Sequence, residues 1–418
     1  MRKRHFLFAS ALALLCSSGA LHAQDFKLTS SGYFKNQGVD VMAFDDIYPE
    51  GHQGGVCIIM NGHRVATNGD IRLEATPGQW QPVPKQLDRK LSDNSITATL
   101  CYPDSSRHLT GFNPMIYPDL HLIYTVQVES KGKHIEVTVD LDRPIPQEFI
   151  GKVGFNLEFF PGSLFGKPWI MDGQSGIFPQ QPNSPLMTTQ PNYLHTGNYH
   201  DGKQSLADMD KLIGKGYSPI VADDIISEPY AKGTKFTSRP DDPYNKVTIE
   251  SLSGDLQLFD GRMNHNNGWF VLRSNIKPGV TKGAVKWIIT PNVVADWMYQ
   301  PVIQTSQIGY HPAQDKEAVI EMDVRDSRKE TAQIIRIDAD GEKVVKNVTP
   351  ANWGKFLRYN YLKVDFTDVK EPGLYKIKYD TSVSPIFRID NDVYARGVWQ
   401  PVLEYFLPVQ MCHMRVNE

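Results

Sequence analysis

The stretch that decides the fold class is LHLIYTVQVESKGKHIEVTVDL, residues 120–141. It holds two runs in which apolar and polar residues alternate, 120–128 and 135–141, on either side of Lys131-Gly132-Lys133. Alternation with a period of two is typical of a strand with one buried face, and a short connection that contains glycine favours a β-hairpin. The stretch therefore predicts antiparallel β structure.

Strand-like runs of the same kind recur from residue 25 to about residue 292. They are residues 56–60, 65–73, 96–100, 155–160, 247–252, 256–259, 269–273 and 284–289. Residues 161–243 are rich in proline and predict loops. So many strands without helical periodicity predict a large antiparallel β-sandwich over residues 24–298. This region resembles the supersandwich domains that precede catalytic domains in carbohydrate-active enzymes.

A second, smaller β unit is predicted after a linker at residues 297–301. Its short alternating strands are residues 319–324, 331–337, 362–366, 374–379 and 386–389. Asp338-Ala339-Asp340-Gly341 is typical of a hairpin turn. Strands at this spacing over residues 299–390 predict an immunoglobulin-like sandwich.

The hydrophobic period changes in residues 391–418. Asp390-Asn391-Asp392 is a candidate N-cap cluster, and apolar residues then recur at intervals of three and four, which predicts an amphipathic helix. Pro401 and Pro408 are expected to kink or interrupt it. An exposed apolar stripe of this size normally needs a partner. The predicted fold class is thus all-β, with one C-terminal helix.

Composition and the N-terminal residues narrow the class of protein. The 418 residues carry 44 Lys+Arg against 47 Asp+Glu, a net charge of -3, and this balance argues against nucleic acid as a partner. Residues 1–23 have the basic start, apolar run and small final residue of a signal peptide. No later run is apolar enough to span a membrane. We therefore expect an exported protein, periplasmic or secreted.

Cysteine usage leaves one question open. Cys57 and Cys101 both lie in strand-like runs, and in an oxidising compartment they could form a disulfide bridge. Two separate thiols in a protein core are an equally good interpretation.

Residues 302–418 carry a family likeness. Gln307-Ile308-Gly309-Tyr310-His311-Pro312, followed by Lys316, resembles the start of the immunoglobulin-like module found in family 9 glycoside hydrolases. Pro372-Gly373-Leu374-Tyr375 and Ser384-Pro385-Ile386-Phe387 resemble later parts of that module, in order. Residues 394–415 resemble the first helix of that family's α/α-barrel catalytic domain. The resemblance implies hydrolysis of β-1,4-glucosidic bonds by the complete enzyme.

The sequence departs from that family in one large respect. The family's Asp-Ala-Gly-Asp type motif and its distant acid glutamate have no counterpart here, so no catalytic residue is assigned. We therefore expect the non-catalytic N-terminal part of a longer enzyme, with the catalytic domain as its partner in cis. The alternative is a complete polysaccharide-binding protein. In both interpretations the ligand is a β-glucan, and no cofactor or metal is predicted.

Aromatic and acidic residues supply the remaining candidate sites. Trp80, Trp169, Trp269 and Trp353 lie in or near turns, and the first three are the candidates for carbohydrate binding, because sugar rings stack on indoles through their C–H faces. Glu158 and Asp172 are candidates for a local pair of catalytic carboxylates. Glu158 alternates with apolar residues in its run, however, which predicts a side chain on a solvent-facing strand surface.

Overall fold

The computed structural model describes residues 25–45, 54–74, 76–77, 84–102, 120–183, 186–188, 225–263, 268–395 and 397–413. The chain divides into two compact units, Met1–Trp297 and Met298–Glu418. The predicted signal peptide, Trp80 and residues 189–224 lie outside the described residues. Among the residues described, no helix is long and apolar enough to cross a bilayer.

The first unit is built from two nine-stranded antiparallel sheets. Its strands, in chain order, are β1 (Lys27–Leu28), β2 (Phe34–Asn36), β3 (Val39–Ala43), β4 (Val56–Met60), β5 (His63–Leu73), β6 (Lys85–Leu91), β7 (Ser95–Cys101), β8 (Ile123–Lys131), β9 (His134–Leu141), β10 (Val153–Phe159), β11 (Pro168–Met171), β12 (Gln174–Ile177), β13 (Leu186–Thr188), β14 (Ile225–Ser227), β15 (Ala231–Gly233), β16 (Lys235–Ser238), β17 (Val247–Ser251), β18 (Leu256–Asp260), β19 (Phe270–Asn275) and β20 (Val285–Pro291).

The first sheet has the order β1-β2-β3-β4-β5-β10-β19-β18-β15. The second has the order β12-β11-β16-β17-β20-β9-β8-β7-β6, and β13 pairs with β14 separately. The prediction of a large antiparallel sandwich is confirmed. Residues 161–243, predicted as loops, also contain strands, namely β11 and β12 and, further on, β13 to β16. These strands are only three or four residues long. A run this short shows no clear alternation of apolar and polar residues, and the nearby prolines favour the prediction of loops.

The hairpin predicted from residues 120–141 is present as β8 and β9. Lys131 pairs with His134, so the connection is the two residues Gly132 and Lys133, and Gly132 has a φ of 69°. Glycine adopts this left-handed conformation without a Cβ penalty, which suits a two-residue hairpin turn.

The two sheets enclose one continuous apolar core. Trp287 on β20 crosses between them: its ring meets Phe155 of β10 edge to face at 5.0 Å, and its Nε1 donates to Ser274 Oγ at 3.0 Å. The indole N–H is thereby satisfied inside the core, as buried tryptophans require. Cys57 is buried in β4 of the first sheet and Cys101 lies in β7 of the second, and the two are not bonded to each other.

The second unit is a smaller sandwich, as predicted for an immunoglobulin-like fold. Its strands are β21 (Val302–Gln304), β22 (Glu317–Asp323), β23 (Ala332–Asp338), β24 (Gly341–Val348), β25 (Ala351–Phe356), β26 (Tyr359–Asp365), β27 (Gly373–Tyr379), β28 (Ser382–Val383) and β29 (Phe387–Ile389). One sheet has the order β21-β22-β26-β25, and the other the order β24-β23-β27-β28 with β29 also paired to β27. The residues between the sheets form a core of their own.

The Gly309-Tyr310 motif is explained by the way its loop attaches to β29. Tyr310 N donates to Arg388 O at 2.9 Å, and Asp390 N donates to Tyr310 O at 3.0 Å. Gly309 has a φ of 103°, and a Cβ there would lie 2.3 Å from Arg388 O. Lys316 is fully buried, and its Nζ donates to the carbonyls of Pro312 and Gln314. The motif therefore closes the end of the sandwich.

The predicted C-terminal helix is present as α1 (Gln400–His413). The predicted N-cap cluster is wrong, because residues 391–395 form turns and the helix begins only at Gln400. Pro401 lies in the first turn, where its missing N–H would have no intrahelical partner in any case. The helix continues past Pro408 to His413 without a break. The assignment of this helix to a catalytic barrel stays a prediction.

Candidate functional site

A buried polar network lies in the first sheet, where β5, β10 and β19 are adjacent. Along β10, Phe155 and Leu157 point into the apolar core, and Asn156 and Glu158 therefore point the other way. Both sets are buried, Asn156 at 0% exposure and Glu158 at 4%. The expectation that Glu158 faces solvent is wrong, since β10 is covered on both faces.

Arg273 of β19 is the centre of this network. Its Nε donates to Asn275 Oδ1 at 2.7 Å, and its Nη1 lies 3.2 Å from Glu74 Oε1 and 3.3 Å from Asn156 Oδ1. Its Nη2 donates to the backbone carbonyls of Glu74 and Lys152, both at 2.9 Å. A guanidinium has five N–H donors, and all five are used here. Arg273 thus joins the ends of β5 and β10 to β19.

Glu74 is a carboxyl of the network whose pKa is shifted by its surroundings. It is 1% exposed and accepts from Asn156 Nδ2 at 2.5 Å as well as from Arg273. Burial disfavours the carboxylate and raises the pKa of Glu74 to about 7, although Arg273 acts in the opposite direction and nearby Glu158 adds to the increase. A carboxyl that titrates near neutral pH has the pKa required of a general acid or base.

A β-bulge positions the second carboxylate, Glu158. The pairing of β5 with β10 shifts between Asn156 and Glu158, so that Asn68 and Gly69 together lie opposite one residue of β10. Asn68 takes a φ of 54° at this bulge, and its Nδ2 donates to Glu158 Oε2 at 2.6 Å. A bulge commonly redirects a side chain in this manner. The signal missed in the sequence is Asn68-Gly69 in the middle of a strand-like run.

The proposed partner of Glu158 has a separate environment. Asp172 accepts from Thr234 N at 2.5 Å, from Thr234 Oγ1 at 3.1 Å and from Lys235 N at 2.9 Å. The Thr234 amide holds the pKa of Asp172 below its usual range. Asp172 therefore fixes the turn between β15 and β16, and the structure does not bring it into a hydrogen-bonded pair with Glu158. A catalytic pair of these two carboxylates stays a prediction.

The structure places two of the three candidate tryptophans in separate aromatic pairs. Trp169 of β11 is 6% exposed, lies over Gly176 and stacks on Tyr230 with 6.5 Å between ring centroids. Trp269 is partly exposed just before β19 and meets Phe160 edge to face at 4.4 Å. Trp80 lies outside the described residues. The carbohydrate-binding role of the three tryptophans stays a prediction.

A further group of aromatic side chains occupies the outer face of the sheet β21-β22-β26-β25. We call Tyr299, Trp353, Tyr359 and Tyr361, which surround Glu321, the aromatic face. Neighbouring rings are in contact: Tyr299 and Tyr359 lie 5.1 Å apart, Tyr359 and Tyr361 6.3 Å, and Tyr361 and Trp353 5.7 Å between centroids. Trp353 is 57% exposed. Sequence patterns place Trp353 near a turn but do not bring the four rings together, because they do not predict the strand β25.

Metal binding has little support in the described part of the chain. No three His, Cys, Asp or Glu side chains come together there in a group suited to a metal ion. His195 and His200, the histidines closest to ligand spacing, lie outside the described residues.

Comparison with known proteins gives one solved structure and one family model that are similar to parts of this chain. A solved structure titled Bacteroides ovatus GH9 is 27% identical to this chain in the matched region, with a TM-score of 0.19. The match covers 22% of this chain and 16% of that chain. No curated protein matches the chain. Residues 298–384 match the model of the family described as cellulase N-terminal ig-like domain. The second unit is therefore similar to a cellulase-associated immunoglobulin-like module.

Proposed function

We propose that the chain is the non-catalytic β portion of an exported family 9 glycoside hydrolase that degrades β-1,4-glucan. The observation that carries this proposal is the match of residues 298–384 to the cellulase N-terminal ig-like domain. The two sandwich units would support the catalytic domain in cis, and a β-glucan is the expected ligand.

The polar network of the first sheet is consistent with a structural role in this proposal. Arg273 has no donor left for a substrate, because two of its five bonds go to backbone carbonyls and three to side chains of the same network. A guanidinium held in this manner joins strands. We therefore assign no catalytic step to Glu74 or Glu158.

An immunoblot combined with an activity gel tests the proposal. An antibody against residues 298–384 is applied to proteins of the source organism that have been separated in a gel containing carboxymethyl cellulose. We expect the reactive band to lie well above the 47.2 kDa of this chain and to coincide with a zone of cellulose clearing. Antibody absorbed beforehand with the purified chain is the control, and it should remove the band. A reactive band slightly below 47.2 kDa without clearing contradicts the proposal.

A second candidate function is polysaccharide binding without hydrolysis. The aromatic face favours it, because an exposed indole beside tyrosines and a carboxylate offers both stacking surface and hydrogen-bond acceptors. Retention of the purified chain on insoluble cellulose, with no release of reducing sugar, would agree with this function.

A further inference from the structure

The aromatic face is held in a fixed arrangement by Glu321. Tyr299 OH donates to Glu321 Oε1 and Tyr361 OH donates to Glu321 Oε2, both at 3.0 Å. Burial and the bonds to Glu321 raise the pKa of both phenols, so each remains a protonated donor to the carboxylate. Two rings on either side of one carboxylate are thereby fixed before any ligand arrives, which lowers the entropic cost of binding.

The hydrogen-bonding capacity of the face consists mainly of acceptors. A carboxylate has about four lone-pair positions, and the two tyrosines occupy two of those on Glu321. The hydroxyls of Tyr299 and Tyr361 both donate to Glu321, and the Tyr361 oxygen can still accept a hydrogen bond. A group with several O–H donors is the natural complement of such a surface.

The charges around the face favour a neutral ligand. Lys363 Nζ is paired with Glu317 Oε2 at 2.8 Å, and Arg325 is paired with Asp323 at 2.7 Å. Each of these two cations is paired with a carboxylate other than Glu321, and a negatively charged ligand would be repelled by the Glu321 carboxylate. An apolar protein surface would instead cover the Glu321 carboxylate and leave its remaining acceptors unsatisfied, which is costly.

We propose that the aromatic face binds the pyranose rings of a neutral β-glucan. A sugar ring stacks its C–H face on the exposed indole of Trp353, beside Tyr361, and its hydroxyls donate to the free lone pairs of Glu321. This inference rests on the β-glucan ligand of the proposed function and assigns the binding to residues that lie outside the predicted tryptophan set.

Titration calorimetry of the purified chain with cellohexaose tests the proposal. We expect Trp353→Ala to weaken the association at least about ten-fold, because it removes the exposed ring on which the sugar stacks. Trp399→Ala is the matched control, because Trp399 is the same residue type and is also 57% exposed, but lies outside the face. It should leave the affinity unchanged. Melting temperatures show that both variants fold.

Two further measurements test the chemistry. Tyr361→Phe keeps the ring and removes only the hydroxyl, so it should weaken cellohexaose binding by a smaller factor than Trp353→Ala. Oligogalacturonate of the same length should bind the wild-type chain more weakly than cellohexaose, and Glu321→Gln should reduce that difference.

The inference is overturned if cellohexaose fails to bind, if it binds Trp353→Ala as tightly as wild type, or if oligogalacturonate binds better. It is also overturned if Trp353→Ala changes only the oligomeric state, since the face is then an interface between copies of the chain. None of these results alters the mass or the activity of the native band, so failure of this inference can be distinguished from failure of the proposed hydrolase.

Discussion

Two single residues, Glu74 and Gly309, show how the local surroundings of a residue determine its contribution to stability. Glu74 is an ordinary glutamate whose pKa rises to about 7 because it is buried in the polar network of the first sheet. Gly309 is an ordinary loop glycine whose φ of 103° and contact with Arg388 O exclude any side chain. Each makes a prediction about stability.

Glu74 should make the stability of the first unit depend on pH. The pKa of its carboxyl is about 7 in the folded protein against 4.5 for an ordinary glutamate, so between these values the folded state retains a proton that the unfolded state has lost. Stability then falls as pH rises through this window, by about 3 kcal/mol in total, and stays low above it.

Urea unfolding of the first unit at several pH values from 4 to about 8 checks this expectation. Glu74→Gln should abolish the fall, because its amide does not titrate. Glu250→Gln removes a surface carboxylate from the same unit and should retain the fall. An equal pH dependence in Glu74→Gln and wild type would contradict the assignment.

Gly309→Ala should destabilise the second unit. The added Cβ would meet the Arg388 carbonyl at 2.3 Å, and the positive φ is strained for alanine, so we expect a loss of about 3 kcal/mol. Chemical denaturation of the purified chain provides the measurement. Gly341→Ala is the matched control: Gly341 has a φ of 131°, but nothing lies within 4 Å of its Cβ position, so a smaller loss is expected.

At the level of elements, β10 shows what the alternation of apolar and polar residues predicts correctly and what it does not. Its alternation predicted a strand correctly, and the core side, with Phe155 and Leu157, follows the pattern. The same pattern placed Glu158 in solvent, although that face is buried too. Alternation reports which face is apolar, but a buried face can also be polar when its groups are paired.

The candidate site shows the same limit. The strands β22, β23, β26, β27 and β29 of the second unit could be predicted from apolar alternation, and the Gly309-Tyr310 motif from its resemblance to a known module. The aromatic face could not, since β25 follows β24 after a short turn and neither strand has a clear apolar alternation. Arg273 could not be related to Glu74 either, because residues this far apart in sequence meet only through the order of the strands.

The joining of β5, β10 and β19 by Arg273 can be tested by substitution. Arg273→Met keeps the length of the side chain but leaves the Glu74 carboxylate and two backbone carbonyls without this donor. We expect a loss of about 3–5 kcal/mol in the stability of the first unit, measured by urea denaturation. Arg273→Lys retains the positive charge but only part of the hydrogen bonding, so we expect a loss of stability smaller than that of Arg273→Met. A loss below 1 kcal/mol in Arg273→Met would contradict the role given to Arg273.

At the level of the whole molecule, the two units have separate cores. Because each core contains residues from only one unit, we expect two unfolding transitions in scanning calorimetry. Gly309→Ala should lower the transition of the second unit and leave the other in place, whereas Arg273→Met should do the reverse. A single transition shifted equally by both variants would show that the units unfold together.

The position of β10 in the first sheet has a consequence for the timing of folding. Its neighbours are β5, which ends at Leu73, and β19, which begins at Phe270. At a synthesis rate of about 5–20 residues per second, the ribosome needs on the order of 5–20 s to pass from the end of β10 at Phe159 to the start of β19. For that interval β10 has an unpaired hydrogen-bonding edge, which is the feature that leads nascent chains to aggregate. A chaperone that holds the nascent chain until β19 has been made would therefore raise the yield of the folded protein.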